Sequence, residues 1–221
     1  MKSHINDILS VNLLSRTFFG FSSQLLLIPF SFFIFMADQA ELAVFFFMRS
    51  LIMIFMNAVG KLIIGQNTYR FITKSKEQEG FYQTTANLFF TSFFFVAFLS
   101  VLYLFFINLY IEIASLTINF FEKILIFGIL LFQTFNTTFN HYFQIRDNDF
   151  LSGISSAFFS RLITLLFLTF FYFYFEIKLS TLLISIFAGH FISTILFGFL
   201  SGLNKFVKDI RFLKFVIKNQ R

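Results

Sequence analysis

Apolar residues run through this chain in six long stretches, parted by short polar breaks. A hydrocarbon core of about 30 Å needs about 20 mostly apolar residues per helical crossing. The stretches lie near Asn12 to Met36, Leu42 to Ile64, Ala86 to Ile107, Ile118 to Phe139, Ile154 to Phe175 and Leu179 to Leu203. Runs such as Phe93-Phe94-Phe95-Val96-Ala97-Phe98-Leu99 do not alternate between apolar and polar, as the strands of a membrane β-barrel would. The pattern predicts an all-α, polytopic membrane bundle of six transmembrane helices over residues 1–204, with a basic segment over 205–221. The opening Met1-Lys2-Ser3-His4-Ile5-Asn6-Asp7 precedes a span too long for a signal-peptide core, so the first helix is expected to be retained.

Composition supports the same class. With 57% hydrophobic residues, 13% charged residues and 43 phenylalanines in 221 residues, the chain lacks the polar side chains to cover a soluble domain. Most of those rings need only face acyl chains, and their abundance does not argue for an aromatic drug pocket. Lysine and arginine collect in the cytoplasmic loops of membrane proteins and so set orientation. The loop between spans two and three holds Lys61, Arg70, Lys74 and Lys76, the loop between spans four and five holds Arg146, and six further bases lie between Lys205 and Arg221. The opposite loops hold Lys123 and Lys178, and the first of them, Ala37-Asp38-Gln39-Ala40-Glu41, is acidic. Both termini are therefore expected in the cytoplasm. The net charge of +6 needs no nucleic acid as a partner.

Tyrosine favours the membrane–water interface. Tyr69, Tyr82 and Tyr142 fall near the inner face of this arrangement and Tyr103, Tyr110, Tyr172 and Tyr174 near the outer. The chain has no cysteine, and its three histidines lack ligand spacing, so neither a disulfide nor a metal site is expected.

The candidate chemistry lies in polar residues at membrane depth. A centrally placed arginine costs roughly 2.5 to 3.5 kcal/mol on insertion scales, so Arg16, Arg49 and Arg161 are candidate cations of a polar cavity. Arg16 and Arg161 have an alternative, snorkelling to the cytoplasmic interface. Arg49 stands between Phe45-Phe46-Phe47 and Leu51-Ile52-Met53-Ile54-Phe55, where reaching water through lipid is awkward. Pro29 removes a backbone donor inside span one and is expected to kink it. Asn57, Asn87, Gln133, Asn136, Asn140, His141 and His190 are uncharged groups at or near membrane depth, suited to interhelical hydrogen bonds. Spacings of three and four put Gln133, Asn136 and Asn140 on one face of span four, with Thr137 beside them. That stripe is either a helix contact or a cavity wall.

Enzyme signatures are missing. No paired carboxylates lie within a span, and there is no nucleophile elbow or glycine-rich phosphate loop, so no catalytic residue and no cofactor is expected. Glu112 and Glu122 are assigned to the outer loop and are expected to be solvated. Embedded cations without embedded carboxylates suit an anionic cargo, such as a phosphate or diphosphate headgroup, better than a cationic drug.

Three segments carry a family resemblance. Leu14-Ser15-Arg16-Thr17-Phe18-Phe19-Gly20-Phe21 resembles the start of the first helix of lipid-linked oligosaccharide flippases, in the multidrug/oligosaccharidyl-lipid/polysaccharide exporter superfamily. Gly65-Gln66-Asn67-Thr68-Tyr69-Arg70-Phe71-Ile72, with the charged run to Gly80, resembles the end of their second helix and the cytoplasmic loop after it. Tyr142-Phe143-Gln144-Ile145-Arg146-Asp147-Asn148-Asp149-Phe150 is similar to their link between spans four and five. The resemblance implies a multi-pass protein of the bacterial inner membrane that moves undecaprenyl-diphosphate-linked sugar repeat units for O-antigen, lipopolysaccharide or capsule synthesis. It places Arg16 and Arg49 on the central cavity, where they would attract the diphosphate or acidic sugars.

Family chains carry twelve or more spans, so the resemblance covers their amino-terminal six-helix lobe. Residues 205–221 would then be the connector to a second lobe, or an amphipathic helix in the inner leaflet with Phe206, Ile210, Leu213 and Ile217 on one stripe. The expected partners are membrane lipid, a lipid-linked oligosaccharide, and a second lobe or another copy of the chain. An inactive remnant, an accessory subunit of a glycan-assembly complex and, less favoured, a multidrug exporter are the alternatives.

Overall fold

The computed structural model describes residues 14–15, 17–37, 41–47, 49–50, 53–54, 97–98, 100–102, 105, 118–145 and 148–202. Arg16, Asn57, Asn87 and the segment 205–221 lie outside the described residues. Helix is the one regular structure among the described residues. Three helices are long and apolar enough to cross a membrane: α1 (Thr17–Ile34), α2 (Phe120–Ile145) and α5 (Leu179–Ser201). Between α2 and α5 come a short α3 (Asp149–Gly153), one π-helical turn over Ile154–Phe158 and α4 (Phe159–Tyr174). α4 has 16 residues, but the helical backbone is unbroken from Asp149 to Tyr174, more than the about 20 residues a crossing needs. The described parts of 41–54 and 97–105, within expected spans two and three, are helical too.

Helix ends follow from local chemistry. Asn119 and Glu122 form a reciprocal cap on α2: the Asn119 N–H donates to Glu122 Oε2 at 2.9 Å and the Glu122 N–H to Asn119 Oδ1 at 2.8 Å. Glu122 is therefore only 8% exposed, which corrects its assignment to a solvated loop. The Asn148 side chain accepts from the Leu151 N–H and starts α3. At the start of α5, Thr181 Oγ1 accepts from the Lys178 N–H at 2.8 Å and Glu41 Oε2 from the Leu179 N–H at 2.9 Å, which ties the 41–54 segment to α5. α5 ends where Gly202 turns left-handed at φ 69°, a conformation that favours glycine.

α5 is the centre of the bundle, packed against α2 on one side and α4 on the other. Lipid tails are as apolar as leucine, so helices associate in membranes by close packing and hydrogen bonds rather than by leaving water. On the α4 side, α5 buries Ser185, Gly189 and Ser193 at intervals of four. A Cβ on Gly189 would collide with Thr164 Oγ1 and the Ser160 carbonyl oxygen, so the two backbones nearly touch there. The small hydroxyls satisfy themselves: Thr164 donates to the Ser160 carbonyl, Ser185 to that of Thr181 and Ser193 to that of Gly189. On the α2 side, Gly128 makes room for the Phe187 ring, which stacks on Phe191 at 5.8 Å between ring centres.

α2 ends, and α3 begins, away from the sequence expectation. α2 continues six residues past Phe139, because Asn140 accepts from Ser152 Oγ at 2.6 Å and the Tyr142 hydroxyl donates to the Ser201 carbonyl at 3.0 Å. Tyr142 lies at the helix end, as expected, but is buried against Phe143 and Phe197 rather than placed at an interface. Elsewhere the surface is apolar: Phe18, Phe21, Ile28, Phe32, Phe35, Phe173 and Phe199 are among many exposed large side chains. Exposure on this scale suits acyl chains and not water.

Candidate functional site

The polar groups converge between the helices. α1, the 41–54 segment, α2, α4 with its π turn, and α5 enclose a cavity of about 320 Å³. Its polar wall includes Arg49, Gln133, Asn136, Thr137, Arg161 and His190, and its apolar wall includes Leu27, Phe30, Ile129 and Leu183. Two expected cavity cations, Arg49 and Arg161, thus meet in one space, where they repel each other. No carboxylate is present among the described lining residues.

Each side chain has a local reason for its position. The π turn adds one residue to the helix and rotates the turns after it, a feature common at functional sites. Directly after it, Ser160, Arg161 and Thr164 face the cavity or α5. The turn is packed by Phe19 of α1, whose ring lies 5.3 Å from that of Phe158 and 5.4 Å from that of Phe150. Gly153 leaves the space Phe19 needs.

Arg161 is also tied to α1. Its Nη1 donates to the Ser23 carbonyl at 2.7 Å and to Ser23 Oγ at 2.6 Å. Snorkelling to an interface is therefore not its conformation. Ser23 lies just before Leu26, where the helical pattern of α1 is interrupted, and Pro29 comes one turn later. Pro29 has no N–H to offer the carbonyl four residues back, and α1 loosens there. An arginine from another helix supplies donors to that stretch of backbone.

The expected stripe on α2 divides. Gln133, Asn136 and Thr137 reach the cavity. Asn140 does not; it bonds Ser152 and Gln144 and is a helix contact rather than a cavity wall. Asn136 is both contact and wall: its Nδ2 lies 3.3 Å from His190 Nδ1 and donates to the His190 carbonyl at 3.2 Å, while its Oδ1 lies 3.2 Å from Thr194 Oγ1. His190 was legible as an interhelical hydrogen bonder but not as a cavity residue. Ser23, Ser160 and Thr164 were not singled out by the sequence. The one available signal was the spacing of Ser185, Gly189 and Ser193, which marks the contact face of α5 and so the neighbouring position of His190.

Away from the cavity, Lys178 Nζ lies 2.8 Å from Glu176 Oε2 in the link between α4 and α5. The ammonium holds that carboxyl below the usual carboxylate range, and the carboxylate raises Lys178. Both are fully exposed, so water and salt screen the pair. Among the described residues no His, Asp and Glu cluster is suited to a metal ion.

No family model, no curated protein and no solved structure matches this chain.

Proposed function

We propose that this protein is a membrane transporter, or one lobe of one, that moves an anionic lipid-linked oligosaccharide across the bacterial inner membrane. The observation that carries the reading is the meeting of Arg49 and Arg161 with neutral donors in one cavity lacking a carboxylate among its described lining residues. A diphosphate between the two guanidiniums would relieve their repulsion and accept their hydrogen bonds, as arginine suits phosphate. Gln133, Asn136 and Thr137 offer the amide and hydroxyl groups that sugars bond. The same lining favours an anion over a cationic drug.

In this reading the chain crosses the membrane six times with both termini in the cytoplasm, and Arg16 stands at the cytoplasmic mouth. Alternating access requires a site enclosed between two helix bundles. A second lobe or a second copy would complete the enclosure. The test is translocation of a fluorescent, polyprenyl-diphosphate-linked oligosaccharide in proteoliposomes. Arg49→Ala and Arg16→Ala are expected to lower the rate at least tenfold at equal incorporation, and unchanged rates would refute the assignment.

One observation favours a second reading, an accessory subunit without transport activity. Arg161 already has a structural partner in Ser23, so part of the buried positive charge is accounted for by the fold. Wild-type protein that translocates nothing but cross-links to one defined membrane partner would support that reading.

A further inference from the structure

Among the described lining residues of the cavity, one side chain has its ordinary titration near neutrality, and that is His190. Its surroundings define its state. The amide nitrogen of Asn136 donates to the His190 carbonyl, and the same nitrogen faces Nδ1 at 3.3 Å. In the tautomer that suits this contact the neutral ring carries its hydrogen on Nε2, and Nδ1 accepts from the amide.

The charges facing the ring can be named element by element. α4 presents Arg161 and the 41–54 segment presents Arg49. α2 presents the uncharged Gln133, Asn136 and Thr137, and α1 presents Leu27 and Phe30. α5 has no second titratable residue between Leu179 and Ser201. With the cavity empty, a proton on His190 would add a third positive charge to two that already repel. An anion between the arginines reverses that balance, because its charge attracts a cation on the ring instead.

We infer that His190 couples occupancy of the cavity to protons: an anion of the phosphate or diphosphate class binds together with one proton taken up at Nδ1. This rests on the reading of the cavity as an anion site. In the step, the Nδ1 lone pair takes a proton that reaches the cavity from the buffer acid in solution, which is left as its conjugate base, and the ring becomes an imidazolium. Asn136 then turns its amide so that Oδ1 accepts from Nδ1–H and Nδ2 donates to Thr194 Oγ1. The Thr194 hydroxyl keeps the His190 carbonyl, to which it already donates at 2.8 Å. The Nδ1–H, the amide and the Thr194 hydroxyl each then have an acceptor, and the His190 carbonyl gives up its bond from the amide nitrogen. The contact between α2 and α5 thus has two hydrogen-bonded arrangements, one for the empty and one for the occupied cavity.

The experiment uses the full chain in nanodiscs of zwitterionic lipid and two probes that do not titrate near neutrality. One is a polyprenyl-diphosphate-linked sugar in the bilayer and the other is inorganic sulfate in solution. Binding is measured by calorimetry in buffers of different ionisation heat, which counts protons directly in the wild-type protein. The expected result is uptake of close to one proton per anion, with affinity falling about tenfold per pH unit over the range in which the ring is neutral without the anion and charged with it. Uptake with the lipid-linked probe alone assigns the site to a headgroup, and uptake with both assigns it to anions in general; either supports the inference. His190→Gln is expected to bind without uptake and with an affinity flat in pH. Wild-type binding without proton uptake, or the same uptake in His190→Gln, would overturn the coupling and leave the anion site standing. Failure of both probes to bind would overturn the anion site and the coupling together.

Discussion

Gly189→Ala adds a single methyl group, yet it strikes the closest approach in the bundle. The new Cβ would overlap Thr164 Oγ1 and the Ser160 carbonyl oxygen and would lie 3.2 Å from the Thr164 nitrogen. Two of those atoms are backbone, so no change of rotamer relieves the clash; α4 and α5 must separate. Overpacking of this kind costs about 1 to 3 kcal/mol. Alanine returns up to about 1 kcal/mol through its helix propensity. The expected net loss is about 1 to 2 kcal/mol, read as a lower midpoint in reversible unfolding by sodium dodecyl sulfate from bicelles.

Other glycines of the bundle serve as controls. A Cβ on Gly198 would meet Phe139 Cζ at an ordinary 3.7 Å, and one on Gly20 would meet nothing within 4 Å. Both alanine variants should be as stable as the wild type or slightly more so. Gly128→Ala should fall between, because the group it strikes is the Phe187 ring, which can shift at the expense of its stacking on Phe191. Adding Thr164→Ala to Gly189→Ala should restore only part of the loss, since the Ser160 carbonyl stays in place. If Gly189→Ala unfolds at the same midpoint as Gly198→Ala, the contact of small residues between α4 and α5 is not what holds these helices together.

Ser23→Ala removes one of two acceptors from Arg161 and is expected to cost under about 1.5 kcal/mol, whereas Arg161→Ala removes both bonds and should cost about 1.5 to 3 kcal/mol in the same unfolding assay. Equal losses would mean that the Ser23 carbonyl contributes nothing. Asn136→Leu breaks the bonds to His190 and Thr194 and should destabilise the α2 and α5 pair by about 0.6 to 1.7 kcal/mol, with Asn140→Leu separately loosening α3 from α2. A mutant no less stable than wild type would show the polar contact to be redundant. Because the chain has no cysteine, single cysteines at Ser75 and Ser115 report topology without background. An impermeant maleimide added to intact cells should label Ser115→Cys and leave Ser75→Cys unlabelled; the reverse would invert the proposed orientation.

Much of the fold was legible because membrane helices write their lengths in apolar runs. The start of α5 at Leu179 follows directly from the polar break Glu176-Ile177-Lys178. The end of α2 was misplaced because Asn140 and His141 look like an exit from the bilayer in one dimension, whereas Asn140 and Tyr142 find partners on α3 and α5. Glu122 shows the same limit: a carboxylate near a helix start is either solvated or a cap, and the choice depends on Asn119 three residues before it. In the cavity, residue type was the legible part. An arginine at membrane depth announces that it needs a polar neighbour, but the neighbour of Arg161 is Ser23, 138 positions away. The π turn that precedes α4 has no signature in Ile154-Ser155-Ser156-Ala157-Phe158, so the change of facing it brings was not legible.

Arg49 and Arg161 are not equivalent probes of the cavity, although both line it. A guanidinium has five N–H donors in a fixed plane. Arg161 commits one of its terminal nitrogens to Ser23, which fixes the plane and leaves the remaining donors for a ligand without any change of side-chain position. Arg49 is exposed on the open side of the bundle, at the rim that a further lobe or copy would cover in the proposed transporter. Removing Arg161 therefore damages α1 and the cavity at once, and loss of transport in Arg161→Ala would not separate the two causes. Removing Arg49 leaves the Ser23 contact intact, so a change in anion binding there reads the charge of the cavity alone. Arg161→Lys supplies the complementary case: it keeps the charge but lacks the planar fork that bonds both Ser23 oxygens. If the cavity works by charge alone, Arg161→Lys should bind the anion nearly as well as wild type while α1 is destabilised. A loss of binding as large as that of Arg161→Ala would show instead that the orientation imposed through Ser23 is part of the site.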